Sequence, residues 1–163
     1  MAQTDKDFLN YYQQFKDKIF NYFWYRVNFN QALAEDLTSE VFLKAFKHFA
    51  GFEQDRPFTC WIYTIARNHL LNYYRIAYRE VGLEAKVGLA TDDWTKINAN
   101  IEVKRLIKII EQLDQYHREV LLLKFVDGLE IWEIAQVLAK DQGAVRTQLS
   151  RALAILRQAT DYE

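Results

Sequence analysis

The sequence predicts an all-α protein, two small helical domains joined by a linker. Three observations lead there. Apolar residues recur at helical spacing along most of the chain, and no stretch alternates apolar and polar residues as a half-buried strand does. That spacing is lost between residues 80 and 104 and then returns. Aromatic side chains are unevenly divided, with 20 of the 25 before residue 80, so the two sides of the gap must build different cores.

The first helix is expected over residues 5–27, where Phe8, Tyr12, Phe15, Ile19, Tyr22 and Phe23 repeat at helical intervals. Thr4 is positioned to cap it, and Asn28, Phe29 and Asn30 to break it. A second helix runs from about Gln31 to Phe49, with Leu33, Leu37, Val41 and Ala45 on one stripe, and Gly51 ends it. A third starts near Pro57, a residue suited to a first helical turn, and continues to about Arg79. Residues 81–93, VGLEAKVGLATDD, carry two glycines, mixed charge and no apolar stripe, and read as a linker. Helical spacing resumes with Leu106, Ile109, Ile110 and Leu113. Asp114 can cap the next helix, which holds Val120, Leu121, Leu123 and Phe125 and stops at Gly128. Residues 131–138, a short turn and residues 142–157 then have the spacing of a helix-turn-helix. Ala135 falls where the two helices approach, Ala139 in the turn, Asp141 at the cap and Val145 on the core side of the second helix.

Composition bounds the function. A chain of 163 residues that is 50% apolar and 26% charged folds, and it is long enough for one ordinary domain or two small ones. No apolar run approaches the ~18–20 residues of a membrane span, and the first residues, MAQTDKD, lack the basic-then-apolar pattern of a signal peptide. A cytoplasmic protein without membrane insertion is therefore expected. The single Cys60 excludes an internal disulfide, and His48, His69 and His117 are too scattered for a zinc site. With no phosphate-binding loop and no nucleophile beside a base, neither a cofactor nor an enzymatic activity is expected.

Nucleic-acid binding needs cations against phosphate, and their distribution matters more than their total. The net charge is −1. Residues 1–79 carry ten Lys and Arg against eight Asp and Glu, and residues 105–163 carry eight against nine. No segment is strongly basic, so the isolated chain is expected to bind DNA weakly. That fits a subunit which borrows affinity from a larger assembly.

Three faces nevertheless carry chemistry. In DLTSEVF, residues 36–42, the apolar positions point inward and leave Asp36, Ser39, Glu40 and Lys44 outside; taken alone, this is what any solvated helix face looks like. On the third helix Thr64, Asn68, Asn72, Arg75 and Arg79 form one polar stripe opposite Ile62, Ile65, Ala66 and Leu70, flanked by Arg67, Tyr73 and Tyr74. Cations that track a backbone, beside rings on which bases stack at ~1–3 kcal/mol each, are the equipment for holding an unpaired strand. Most of the aromatics, Trp61 included, fall on core positions instead. On the last helix Val145, Leu149, Ala152 and Leu156 gather on one face, with Arg146, Thr147, Ser150 and Arg151 on or near the other. A major-groove helix needs such a core face and reading face, and arginine can take guanine bidentately or hold phosphate.

AEDLTSEVF (34–42), FTCWIYTIARN (58–68) and REVLLLKF (118–125) ahead of the helix-turn-helix resemble, in that order, regions 2 and 4 of bacterial sigma factors of the extracytoplasmic-function type. The family patterns are AxDLxxExF, FRAWLYRIARN and REVLLLRY. The resemblance covers residues 8–79 and 105–158. It implies a protein that gives core RNA polymerase its promoter specificity and helps to open the duplex. Asp36, Leu37, Ser39, Glu40 and Phe42 would dock on the β′ clamp, and region 4 on the β flap. Glu53, Gln54, Asp55 and Arg56 would hold a base flipped out of the minus-10 element, with Thr64, Arg67, Asn68, Asn72 and Arg75 along the strand. Arg146, Thr147, Gln148, Ser150 and Arg151 would meet the minus-35 element, and an anti-sigma factor would be the regulatory partner.

The sequence also departs from the family. Thr59, Cys60 and Thr64 stand where basic or small residues are frequent, Asp114 replaces a usual proline, Lys140 a usual apolar residue, and Leu153 and Ile155 residues that are often basic. Fewer phosphate contacts follow. Two other readings stay open on the residues alone. One is a stand-alone helix-turn-helix regulator; the other is a sigma-like protein that holds polymerase or an anti-sigma factor without reading promoters. The expected domains are residues 5–79 and 105–160, with 80–104 between them.

Overall fold

The structure, a computed structural model, describes residues 2–81 and 101–161, and all regular elements among them are helical. The chain divides into two compact units, Met1–Thr95 and Lys96–Glu163. The expected linker lies mostly outside the described residues; its described ends, 80–81 and 101–104, belong to helices.

The first unit holds α1 (Gln3–Arg26), α2 (Gln31–His48) and α3 (Phe58–Val81). Thr4 is inside α1 and does not cap it: Ala2 takes the cap position in extended conformation, and its carbonyl accepts from Asp5 and Lys6. The helix ends because Asn28 and Phe29 are left-handed, at φ +58° and +62°. That conformation costs a non-glycine residue ~1–2 kcal/mol. Burial of Phe29 at 4% exposure, edge-on to Trp24 at 4.8 Å, offsets the cost. Asn30 then caps α2, its Oδ1 accepting from the Leu33 amide at 3.1 Å.

The stripes foreseen on α1, α2 and α3 meet in the core, where Ile19, Phe23, Val41, Ala45, Ile62 and Ala66 are fully buried. Tyr12 is 38% exposed, with its ring on Phe42 at 5.0 Å, and Leu33 and Ile65 are half-buried. Two aromatic contacts decide where the later surfaces lie. Tyr11 of α1 stacks on Phe58 at 4.1 Å, which fixes the first turn of α3. The Tyr74 hydroxyl donates to the Arg26 carbonyl, which fixes its C-terminal half against the end of α1.

The second unit holds α4 (Ile101–Gln112), α5 (Gln115–Leu121), a π-helical turn (Leu122–Val126), α6 (Ile131–Leu138) and α7 (Gln142–Asp161). Ile107, Ile109 and Ile110 of α4 are buried, whereas Leu106, expected on that stripe, is 40% exposed. Asp114 caps α5 as foreseen, accepting from the His117 amide at 2.9 Å. The π turn, closed by the Asp127 amide on the Leu122 carbonyl at 2.9 Å, widens the helix and shifts its phase. Val120, Leu121, Leu122 and Leu123 can therefore all be buried, and Phe125, expected inside, is 58% exposed. Gly128 at φ +74° ends the segment, the conformation that glycine adopts without steric penalty. The Glu133 carboxylate reaches back to the Glu130 amide at 2.9 Å to start α6.

Candidate functional site

The outer face of α2 is built by exclusion. Ala34, Leu37, Val41, Phe42 and Ala45 are buried, so Asp36, Ser39, Glu40, Leu43, Lys44 and Phe46 are left exposed. Two of the five expected docking residues are corrected here. Leu37 is 2% exposed and Phe42 5%, and both hold α2 in the core instead of meeting a partner in the free chain. Two apolar residues that the sequence reading did not single out share the exposed face. Leu43 and Phe46 are 61% and 50% exposed and continue the Asp36–Ser39 line by helical spacing. Their apolar character reads as core, but both fall off the buried stripe of Leu37, Val41 and Ala45, and Phe46 rests edge-on against Phe8 at 5.2 Å.

Glu40 is not a free surface carboxylate. His69 Nε2 on α3 lies 2.5 Å from Glu40 Oε2, and its Nδ1 lies 2.8 Å from Lys44 Nζ. An ammonium only donates, so Nδ1 accepts, Nε2 carries the hydrogen and the imidazole donates to Glu40. The Glu40 charge also reaches the α3 surface: with burial as the larger cause, it raises the Tyr73 hydroxyl above its ordinary value.

Glu53, Gln54, Asp55 and Arg56 are all exposed, on a short loop between two buried phenylalanines, Phe52 and Phe58, which meet edge-on at 5.6 Å. The Arg56 amide bonds the Glu53 carbonyl at 2.9 Å, and the side chains pair at 3.2 Å. A turn closed in this way and anchored at both ends presents its polar groups at a fixed height beside the start of α3.

The stripe on α3 runs from half-buried to exposed. Thr64, Arg67 and Asn72 are intermediate, and Asn68, Arg75 and Arg79 are exposed, opposite the buried Ile62, Ala66 and Leu70. The Thr64 hydroxyl donates to the Cys60 carbonyl at 2.6 Å, so it has only acceptor capacity to offer. Arg75 donates to Asn72 Oδ1 at 2.6 Å, which leaves the Asn72 amide nitrogen as a donor. From Asn68 to Arg79 the exposed stripe extends ~16 Å along the helix axis.

On α7, Arg146, Thr147, Ser150 and Arg151 are exposed and Val145, Leu149 and Ala152 are buried. Arg146 is steadied by Gln142 Oε1 at 3.2 Å, and the Thr147 hydroxyl bonds the Gly143 carbonyl at 3.0 Å. Gln148 is corrected: it is 1% exposed, and its amide is bonded inside the unit, so it is not offered to a groove. The signal was present in the sequence, because Gln148 follows Val145 by three and precedes Ala152 by four, on the core side. The turn before α7 depends on Ala139, left-handed at φ +54°.

Among the described residues no helix is long and apolar enough to cross a membrane. Comparison with known proteins agrees with this geometry. The sigma-70 region 2 family matches residues 11–80, and sigma-70 region 4 matches residues 104–156. The chain is similar to the ECF RNA polymerase sigma factor BldN of Streptomyces coelicolor, 32% identical over an alignment of 153 residues that covers 89% of this chain and 57% of that one. It is similar to the ECF RNA polymerase sigma factor SigW of Bacillus subtilis, 30% identical over an alignment of 159 residues that covers 88% of this chain and 83% of the other. In fold it matches the structure of CnrH in complex with the cytosolic domain of CnrY, with a TM-score of 0.73 at 22% identity, over 98% of this chain and 90% of that one. It also matches the sigma factor RpoE in complex with the anti-sigma factor NepR from Bartonella quintana, with a TM-score of 0.70 at 20% identity over 93% and 97%. With a region 2 helical unit followed by a region 4 helix-turn-helix, and relatives of this kind over nearly its whole length, the chain belongs to the sigma-70 family as a sigma factor of the extracytoplasmic-function type.

Proposed function

We propose a division of labour among three surfaces. The exposed line of α2, Asp36, Ser39 and Glu40 with Leu43 and Phe46, docks on the clamp of core RNA polymerase, where an acidic patch against a basic helix supplies steering and register. The 53–56 loop and the α3 stripe hold the unpaired minus-10 strand. The exposed face of α7 reads the minus-35 element, and its unit rests on the polymerase β flap. The chain acts in the cytoplasm, where polymerase and chromosome meet, and contributes binding energy and no chemistry of its own.

One observation carries this reading. On α7 the polar stripe is exposed and on α3 it runs from half-buried to exposed, while in both the opposite face is consumed by the core of its own unit. Each unit thus has a free face for nucleic acid before any partner arrives. CnrH and RpoE are each seen with a regulatory partner bound, and an anti-sigma factor covering some of these surfaces is the regulator we propose here. The test is a footprint of the chain with core polymerase on a promoter. Protection at both elements, with permanganate-reactive thymines only in the downstream one, is expected. Protection without reactive thymines contradicts the role in melting.

A further inference from the structure

Gln148 has two partners, and they come from two other segments. Its Nε2 donates to the Tyr116 carbonyl at 2.5 Å, and its Oε1 accepts from Lys140 Nζ at 3.2 Å. A carbonyl only accepts and an ammonium only donates, so the partners fix which way the amide faces. Lys140 Nζ also stands 4.2 Å from the centroid of the Tyr116 ring. The result is a closed bracket that joins the first turn of α5, the turn of the helix-turn-helix and the middle of α7. Lys140 stands at an exposed position in the turn, from which its ammonium reaches the buried amide.

Hydrophobic burial is non-directional. Val145, Leu149 and Ala152 therefore set how deeply α7 is seated, and they resist rotation about its axis far less. A hydrogen bond weakens steeply away from linearity, and a buried amide bonded at both ends resists that rotation directly. The lever is short but sufficient. A side-chain tip ~6 Å from a helix axis moves ~1 Å for a roll of ~10°, enough to take a bidentate arginine out of hydrogen-bond range.

We infer that Gln148, held by Lys140 and Tyr116, is a positioning residue for promoter reading: it sets the roll of α7 and so the base preference of Arg146 and Arg151, without touching DNA. The inference rests on the reading that the exposed face of α7 meets the minus-35 element. The experiment is a selection from a promoter library randomised across that element. It uses the full chain with core polymerase, and compares wild type with Gln148→Leu, Gln148→Glu, Lys140→Met, Lys140→Arg and Arg146→Ala. Gln148→Glu keeps the shape and replaces the donor to Tyr116 with an acceptor; Lys140→Met removes the donor to Gln148 Oε1 and the cation over Tyr116 from an exposed position, and changes no core side chain.

Gln148→Leu, Gln148→Glu and Lys140→Met are expected to change the enriched motif, or to flatten it by about five- to tenfold in discrimination, the lower end of what one bidentate base contact contributes. Binding to a pre-melted template without the upstream element should stay at the wild-type level. Lys140→Arg, which keeps a donor and a cation over Tyr116, should retain the wild-type motif. An unchanged motif with all three disruptive variants overturns the inference, as does a uniform loss on every template, the mark of a merely structural residue. If Arg146→Ala changes the motif while those variants do not, the reading of α7 stands and the positioning role falls. If Arg146→Ala also leaves it unchanged, the reading of α7 itself has failed.

Discussion

The His69 imidazole on α3 donates to the Glu40 carboxylate on α2 at 2.5 Å while it accepts from Lys44 at 2.8 Å. The residue expected to meet polymerase is therefore also a tie between the polymerase-facing helix and the helix that carries the single-strand stripe. His69 is largely enclosed, with 10% of its side chain exposed, whereas Glu40 is 54% exposed and keeps an oxygen for a partner.

Charge reversal on α2 separates these roles. Asp36→Lys should weaken binding to core polymerase with an unchanged melting curve, because like charges facing across an interface cost ~2 kcal/mol or more. Glu40→Lys should weaken it too, and should also lower stability slightly, by ~0.5 kcal/mol at the exposure of this pair. Titration of polymerase with labelled chain, beside thermal melts, checks both. Unchanged affinity for the double variant with a native circular-dichroism spectrum sinks the docking assignment.

Arg146 and Arg151 should matter for the upstream element and not for melting. Alanine at either is expected to reduce duplex promoter binding by ~1–3 kcal/mol where the contact is a bidentate base pair. On a pre-melted template that lacks the upstream element, the variants should match wild type. Equal losses on both templates would mean that the arginines act through folding or through polymerase.

Asp114 gives the second unit a pH signature. The His117 amide, and then the imidazole, bond its carboxylate and hold it below the ordinary carboxylate range. A group with a depressed folded value contributes its stability above the unfolded value and loses it as pH falls through the folded one. Asp114→Ala should therefore melt earlier than wild type at neutral pH, and the gap should close as the solution is acidified below the carboxylate range. A gap that persists in acid would show the loss to be one of helix propensity.

Each unit closes its own core, so residues 1–81 should fold without the rest and keep both polymerase binding and preference for single-stranded minus-10 DNA. The opposing force is size, since domains near 60–80 residues bury limited surface and are marginal. A single cooperative melt of the fragment checks this; a fragment that stays unfolded refutes it.

The helices were legible because apolar spacing and caps are local signals: Asp114 stands one residue ahead of the helix it starts, whereas Asn30, expected only to break α1, also caps α2. The failures were non-local. The π turn at Leu122–Val126 shifts the phase of a regular helix, which no residue in that run announces, and so Leu122 and Phe125 exchange places. Gln148 shares the core spacing of Val145 and Ala152 yet looks like a reader, because amides usually face water and the carbonyl that satisfies it lies 32 residues away. The bridge from Glu40 to His69 spans 29 residues and joins two motifs that were read separately. The polar stripes of α3 and α7 were legible because each is the complement of an apolar one.

The most direct test of the whole account is multi-round transcription by core polymerase on a promoter library, with and without this chain. The account predicts that adding the chain yields transcripts from promoters sharing an upstream and a downstream element. It further predicts that Asp36→Lys with Glu40→Lys abolishes all of them, while Arg146→Ala loses selectivity only at the upstream element. Polymerase binding without any specific transcript, or site-specific DNA binding by the chain that is indifferent to polymerase, would contradict it.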